Sequence, residues 1–284
     1  MKLIYNTIAF QSYGLTLVFF TIFVRILLFP LNLKQQKSML RTQELQPEIE
    51  ELKEMYGHDK EKFNEEQMKL YQKYNINPMA GCFPMLIQLP LILSIYRIVT
   101  KPLSYISGVS TSAISALQGF VAKALDISKS GTVSEILIND FFLKNEDKLA
   151  EVAEHLTQGQ LLNMRFLGIF DLGLTPSLSG KLFSEPLVYL PLLLIPITSA
   201  ITSYLIQRST TVASINKSKK NDDKAPDTAN PLNTMNKVMP IISLIFTFNV
   251  PAGVGLYWII GNLLGIAQNF VTKKVFDKKK EGNE

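Results

Sequence analysis

The sequence predicts an all-α integral membrane protein with five transmembrane helices, an extracytosolic N-terminus, a cytosolic C-terminus and a cytosolic helical hairpin. Three observations predict it. The 284 residues are 47% hydrophobic and only 19% charged, and the charges are segregated, so that apolar runs at 13–33, 79–99, 186–206 and 238–271 alternate with stretches rich in Lys and Glu. Each run reaches the ~20 residues that cross a ~30 Å hydrocarbon core. The basic residues gather in segments that fall on one side of the membrane if the last run crosses twice.

The elements follow in order. Residues 1–12 form an N-terminal arm with one basic residue, Lys2, no A-x-A-like cleavage site and no lipidation cysteine, so no removable signal peptide is expected. The first span is 13–33. Residues 34–78 read as a cytosolic helical hairpin: Leu45, Ile49, Leu52 and Met55 recur at helical spacing on one arm, Phe63, Leu70 and Tyr74 on the other. Gly57, His58 and Asp59 make the turn, with Asp59 as N-cap. The second span, 79–100, contains Pro84 and Pro90, which should kink it. Residues 101–184 are a long mixed loop with helical patterns at 113–125 and 133–156 and an apolar stretch at 166–174 suited to the outer membrane surface. The third span, 185–207, again contains prolines (Pro191, Pro196). Residues 208–231 read as a solvated, disordered connector.

The final run is 34 residues long, ~50 Å as a single helix and far more than one crossing needs. Lys237 precedes it and Lys273, Lys274, Lys278, Lys279 and Lys280 follow it, so both ends prefer the same side. An even number of crossings results, with a turn at Pro251, Ala252 and Gly253, spans at 232–250 and 254–272, and a basic cytosolic tail at 273–284. The short first leg suggests local bilayer thinning. Orientation follows from eight Lys or Arg in 31–78, six in 208–237 and five in the tail, against one in the arm. The seven in the long loop count weakly.

Arg25 is the one Asp, Glu, Lys, Arg or His in the apolar runs before Arg97 closes the second. Its burial costs ~2.5–3.5 kcal/mol on insertion scales, so it must face protein or water. Two readings stay open. It snorkels to the cytosolic interface, or it presents a fixed positive charge in a water-accessible pocket that holds an acidic group transiently. Lys34 already occupies the interfacial position, which favours the pocket. Uncharged polar residues recur in the spans: Gln88, Thr198, Ser199, Thr202, Ser203, Gln207, Asn249, Asn262 and Gln268. Interhelical hydrogen bonding is their ordinary role, while the spacing of Thr198, Thr202 and Gln207 would also let them wet a wall of the Arg25 pocket. Tyr257 and Trp258 read equally as interfacial belt or pocket wall. Runs free of acid, histidine and lysine exclude a proton relay. His58 and His155 lie outside them, Cys82 has no base partner, and no nucleotide loop or metal cluster appears. An enzyme and a bound cofactor are therefore not expected. A small anion transporter or channel with Arg25 as selectivity charge is the alternative, though no repeat supports it.

Three signatures carry a family resemblance. They are Val24-Arg25-Ile26-Leu27-Leu28-Phe29-Pro30-Leu31; Asn77-Pro78-Met79-Ala80-Gly81-Cys82-Phe83-Pro84-Met85-Leu86-Ile87-Gln88-Leu89-Pro90; and Met239-Pro240-Ile241 with Phe248-Asn249-Val250-Pro251-Ala252-Gly253 and Leu256-Tyr257-Trp258. On these the chain resembles the YidC/Oxa/Alb family of membrane protein insertases in its short, Gram-positive-like form, in register except at 101–165 and 207–230. The resemblance implies an insertase and folding chaperone of the bacterial plasma membrane, acting without nucleotide hydrolysis or a small-molecule substrate. It implies a hydrophilic groove open to the cytosol, with Arg25 as its charge, Gln207 and Trp258 on its wall, and Gln88, Thr198 and Thr202 nearby. Acidic residues in a client's translocated tail are drawn to the arginine while the client helix slides into lipid. The hairpin, through Leu52, Met55, Tyr56, His58 and Phe63, is implied in client handling. Nascent membrane proteins, the Sec translocon, membrane lipids and, weakly through the basic tail and connector, the ribosome are the implied partners. The chain departs from the short form in its long outer loop, expected to add a small extracytosolic cap.

Overall fold

The first apolar run continues as a helix beyond the point where it stops being apolar. The computed structural model describes residues 1–76, 83–128, 133–178, 180–215 and 231–281. The start of the second signature with Cys82, and the connector's basic cluster at 217–224, lie outside the described residues. A short helix, α1 (Lys2–Thr7), turns through the left-handed residues Phe10 and Gln11 into α2 (Tyr13–Glu44), 32 residues long. The expected boundary between span and hairpin segment at residue 34 therefore falls inside one continuous helix. A helix satisfies its own backbone in lipid and in water, so an interface changes its solvent without ending it.

The hairpin proper is α3 (Gln46–Tyr56) against α4 (Lys60–Lys73). Asp59 caps α4, its carboxylate accepting from the Lys62 N–H at 3.1 Å. The Tyr74 hydroxyl donates to Glu48 at 2.9 Å, which joins the end of α4 to the start of α3. After α5 (Phe83–Thr100) the expected loop is folded. It holds a π-turn at Leu103–Ser107, α6 (Thr111–Ala124), α7 (Glu135–Lys144), 3-10 turns at Glu146–Val152 and Gln158–Gln160, and an antiparallel pair, β1 (Arg165–Phe166) with β2 (Phe170–Asp171). Then come α8 (Gly180–Ser184), α9 (Pro186–Leu192), α10 (Leu194–Ile215), α11 (Pro231–Phe248) and α12 (Ala252–Glu281). The third apolar run is thus two helices breaking at Leu193, between Pro191 and Pro196, whose missing N–H groups interrupt the ladder. Past its expected end, α10 continues to Ile215, and α12 to Glu281, for the same reason as α2.

The segment between α5 and α8 has a core of its own. Leu103, Ile114, Leu117, Val121, Ile138, Phe142 and Leu156 are buried together, with Phe120, Phe141 and Phe142 stacked edge and face. Ser110 and Ser134 cap α6 and α7. Two polar clasps close it. Asn139, 2% exposed, donates to the Leu162 carbonyl and accepts from the Leu162 N–H, both at 2.8 Å. The Glu135 carboxylate takes the Ser104 N–H at 2.9 Å and hydroxyl at 2.6 Å.

Contacts fix the direction of every bundle helix. α10 runs antiparallel to α11 (Ser199 with Thr247, Ser203 with Ser243) and parallel to α12 (Ile195 at Gly255, Ile206 at Gly265). At both glycines a Cβ would overlap the isoleucine, so their absent side chains let α10 and α12 approach closely. α2 also runs parallel to α12, with Leu17 at Gly253 and Arg25 at Gly261, while α5 opposes them, with Val99 at Gly253 and Gln88 at Tyr257. The α11–α12 turn and the start of α2 meet the folded segment. Carbonyls of Leu174 and Leu172 accept from the first N–H groups of α12, Ala252 and Gly253, at 2.8 and 2.9 Å, and Phe166 packs on Gly14. Among the described residues three helical stretches are long and apolar enough to cross a membrane, Tyr13–Ser38, Pro186–Ser209 (α9 continuing into α10) and Ala252–Thr272, and two shorter apolar stretches, Gln88–Thr100 and Val238–Phe248, accompany them.

Asn139→Ala strands both backbone groups of Leu162 in an apolar core, at an expected cost of about 1–3 kcal/mol. Amide exchange should accelerate between α6 and β1 and stay unchanged in α10 and α12. Asp171 tests the cap–bundle junction differently. Burial raises its carboxyl above the ordinary value, Asp140 adds to the rise, and the Gly173 N–H, Arg165 and Lys144 oppose it. The neutral form is therefore favoured in the fold, so its stabilising contribution is present below the unfolded-state pKa and lost as pH rises through the folded one. Thermal melts should show Asp171→Asn more stable than the parent at neutral pH, with the difference vanishing near pH 3.

Candidate functional site

Thr21, Arg25, Leu28 and Asn32 are spaced by four, three and four residues, which puts them on one face of α2. That face meets α5 and α12 around a cavity of about 50 Å³. Its polar lining is Thr21, Arg25, Asn32, Gln88 and Tyr257, and Val24, Leu28 and Leu91 complete the wall. The space suffices for a few water molecules, and the lining offers the polar partners they need. The Gln88 amide donates to the Tyr257 hydroxyl at 3.4 Å, which ties α5 to α12 across the cavity.

Arg25 enters this cavity without an anion. The ion pairs among the described residues, Lys69 with Glu65 and Glu66 and Lys144 with Asp140, lie in the hairpin and the cap. Among those residues Arg25 makes no hydrogen bond either, and it shares the cavity with Thr21, Asn32, Gln88 and the Tyr257 phenol. The guanidinium rests against α12 at Gly261, where a Cβ would stand 3.0 Å from Nη2. Two turns towards the cap, Leu17, Val99 and the Leu172 carbonyl meet at Gly253, and Tyr13, Leu17 and Leu172 are fully buried. The cap end of the cavity is closed by packed apolar side chains.

The other polar residues of the spans gather elsewhere. Ser199 and Ser243 hydroxyls lie 2.7 Å apart, Ser203 donates to Ser243 at 2.9 Å, and Thr247 lies 3.2 Å from Ser199. From α12, the Trp258 indole donates to Ser203 at 3.2 Å, and Asn262 donates to Ser203 at 2.9 Å and Thr202 at 3.2 Å. This seam joins α10, α11 and α12. The structure thus brings Arg25 and Gln88 together, places Thr202 and Trp258 in the seam, and leaves Thr198 bonded to the Leu194 carbonyl. Gln207 donates to the Ser203 carbonyl one turn beyond. Towards the ends of α2 and α12 away from the cap, Gln36 donates to Asn269, and Asn269 to Ser209 at 2.7 Å. Sequence reasoning passed over Thr21 and Asn32, although their spacing from Arg25 was readable, and left Tyr257 undecided. Ser243 and Thr247 lacked any signal of their own.

In the hairpin, Leu52, Met55 and Leu70 floor a cleft of about 370 Å³ edged by Glu48, Glu51, Glu66, Lys69 and Lys73. His58 is exposed at the tip and Phe63 half-buried, while Tyr56 lies under the Lys62 ammonium at 5.0 Å. Paired with Glu65 and Glu66, Lys69 titrates above the ordinary lysine range.

Ser243→Ala removes the hub of the seam without touching the cavity. The expected cost is about 1 kcal/mol, read as a lowered melting temperature in detergent, and it should leave any Arg25-dependent property unchanged.

Residues 3–280 match the family described as 60Kd inner membrane protein. The chain is 29% identical over 264 residues to the membrane protein insertase YidC of Maridesulfovibrio salexigens, covering 92% of this chain and 34% of that protein. It is 29% identical over 267 residues to the membrane protein insertase MisCA of Bacillus subtilis, covering 93% and 71%. To the membrane protein insertase YidC of Clostridium perfringens it is 28% identical over 269 residues, covering 95% and 82%. It therefore spans about a third of the first relative's length and most of the other two.

Proposed function

The chain belongs to the 60Kd inner membrane protein family, and from that premise we propose that it is a membrane protein insertase and folding chaperone of the bacterial plasma membrane. The observation that carries the mechanism is Arg25, an arginine in a small polar cavity with no anion beside it among the described residues. A client's acidic residue supplies the missing charge. At 4 Å, with an effective dielectric of 20, a carboxylate and a guanidinium attract by about 4 kcal/mol. That is comparable with the ~2.5–3.5 kcal/mol that an ionised side chain costs within a membrane. The pull offsets the barrier and remains weak enough to release. The client helix then leaves sideways into lipid, driven by its own hydrophobicity and without nucleotide hydrolysis.

In this reading α2, α5, α9–α10, α11 and α12 are five crossings in alternating direction, with the cap extracytosolic and the α3–α4 hairpin cytosolic. Alternating helix directions and the basic residues of the hairpin segment, connector and tail support it. The cavity widens on client arrival into a groove open to the cytosol, which Gln88, Thr198, Thr202, Gln207 and Trp258 flank. The hairpin cleft, with Leu52 and Met55 on its floor and Tyr56, His58 and Phe63 near its tip, handles arriving chains. The Sec translocon, anionic lipid and the ribosome are partners on the same footing. Packing around Gly253 argues against the anion-channel reading, since a pore would have to pass Tyr13, Leu17 and Leu172.

Reconstitution into liposomes tests the proposal with a short single-span client carrying an acidic tail, scored by protease protection. Wild type should protect it, Arg25→Lys should largely retain protection, and Arg25→Ala and Arg25→Glu should lose it. A client with a neutral tail should be indifferent to all three. Full activity of Arg25→Glu on the acidic client would exclude charge attraction, and failure of wild type on both clients would exclude the insertase.

A further inference from the structure

A β-hairpin in water ordinarily puts Asn, Asp and Gly at its tip, because the tip is the wettest part. The β1–β2 hairpin inverts this. Its charged pair, Arg165 opposite Asp171, stands at the base, Phe166 opposite Phe170 follows, and the loop is Leu167-Gly168-Ile169. Leu167 and Gly168 are both left-handed, at φ +52° and +77°, and leucine rarely adopts that conformation. Leu167 is 73% exposed and Ile169 54%. A strained turn that displays two aliphatic side chains has no rationale in an aqueous loop.

The position of the hairpin says what covers it. Phe166 packs on Gly14 in the first turn of α2, and the Leu172 carbonyl caps α12 through Gly253. The hairpin is therefore held level with the cap-side ends of two membrane-length helices. Further exposed apolar side chains lie on the neighbouring segments: Phe10 before α2, Phe183 in α8, and Leu187 in α9, 91% exposed. Among the described residues nothing buries either Leu167 or Ile169.

We propose that the Leu167-Gly168-Ile169 tip is a lipid-inserted wedge that seats in the boundary between headgroups and acyl chains of the cap-side leaflet. Arg165 and Asp171 stay at headgroup level. Burial of the two aliphatic side chains in that boundary supplies the binding, and the packing of Phe166 on Gly14 transmits the seating to the start of α2. The wedge concerns how the cap sits on the bilayer and is independent of whether Arg25 draws acidic tails.

Site-directed spin labelling in lipid nanodiscs tests it. Leu167→Cys and Ile169→Cys are labelled separately in a Cys82→Ser background, which removes the one native cysteine, with Glu154→Cys on the exposed face of the cap as the aqueous reference. Collisions with oxygen and with a water-soluble nickel chelate are then compared. Both tip sites should favour oxygen, with chelate accessibility several-fold below that at position 154. Chelate accessibility at both sites equal to the reference would overturn the wedge. Because the two sites report separately, a labelled variant that fails to fold leaves the other to decide.

Discussion

A guanidinium within an apolar helix bundle has to be solvated by something, and most of this molecule can be understood from how Arg25 is accommodated. Burying a cation beside a carboxylate would neutralise it, and the apolar runs offer no carboxylate. Burying it dry would cost more than the packing around it returns. What remains is a small polar chamber: Thr21 and Asn32 from the same helix face, Gln88 and Tyr257 from two others, and a missing side chain at Gly261 that makes room for Nη2. Every helix that meets this chamber is placed by that requirement. α5 must oppose α12 for Gln88 to reach Tyr257, and α2 must run parallel to α12 for Arg25 to reach Gly261.

A chamber at the junction of α2, α5 and α12 weakens the packing there, and the rest of the bundle is held by other means. The seam of Ser199, Ser203, Ser243, Thr247 and Asn262 is well supplied with partners, and the glycines at 255 and 265 bring α10 and α12 close enough for it. In lipid, dispersion and interhelical hydrogen bonds replace the hydrophobic effect as the force between helices. The protein thus has a hydrogen-bonded side, α10 with α11 and α12, and a side on which a charge sits in a small cavity. On the proposed mechanism the hydrogen-bonded side holds the register while the other yields.

Much of this was legible in the chain, for identifiable reasons. The Gly57-His58-Asp59 turn and the break at Pro251 follow from local chemistry, which sequence displays directly. Arg25 stood out because a lone charge in an apolar run has few explanations. The partners of Thr198 and Thr202 were not legible, because helical spacing gives the face of a helix and not which neighbour it meets. Thr202 shares its seam with Asn262 from 60 residues away. The cap was harder still: its clasp joins Asn139 to Leu162 across a 23-residue gap, and its short helices never repeat long enough to stand out as a core.

The two ends of the chamber differ in kind, and this has a consequence for direction. Towards the cap, Tyr13, Leu17, Val99 and Leu172 are all fully buried, and the first N–H groups of α12 are taken by carbonyls of the cap. Towards the other end, the same face of α2 continues through Asn32 to Gln36, which meets Asn269 and through it Ser209. Amides exchange hydrogen-bond partners at little net cost, because an incoming peptide group or water replaces what is lost. Packed leucine and tyrosine cannot do so without opening a void. A polar chain segment approaching Arg25 therefore meets a soft boundary on the amide side and a hard one on the cap side. On the proposed mechanism such a chamber admits a client from the hairpin side and holds it short of the cap-side surface. The remaining distance must then be covered by the client's own helix partitioning into lipid, and a single uncompensated charge is sufficient protein machinery for a step of that kind.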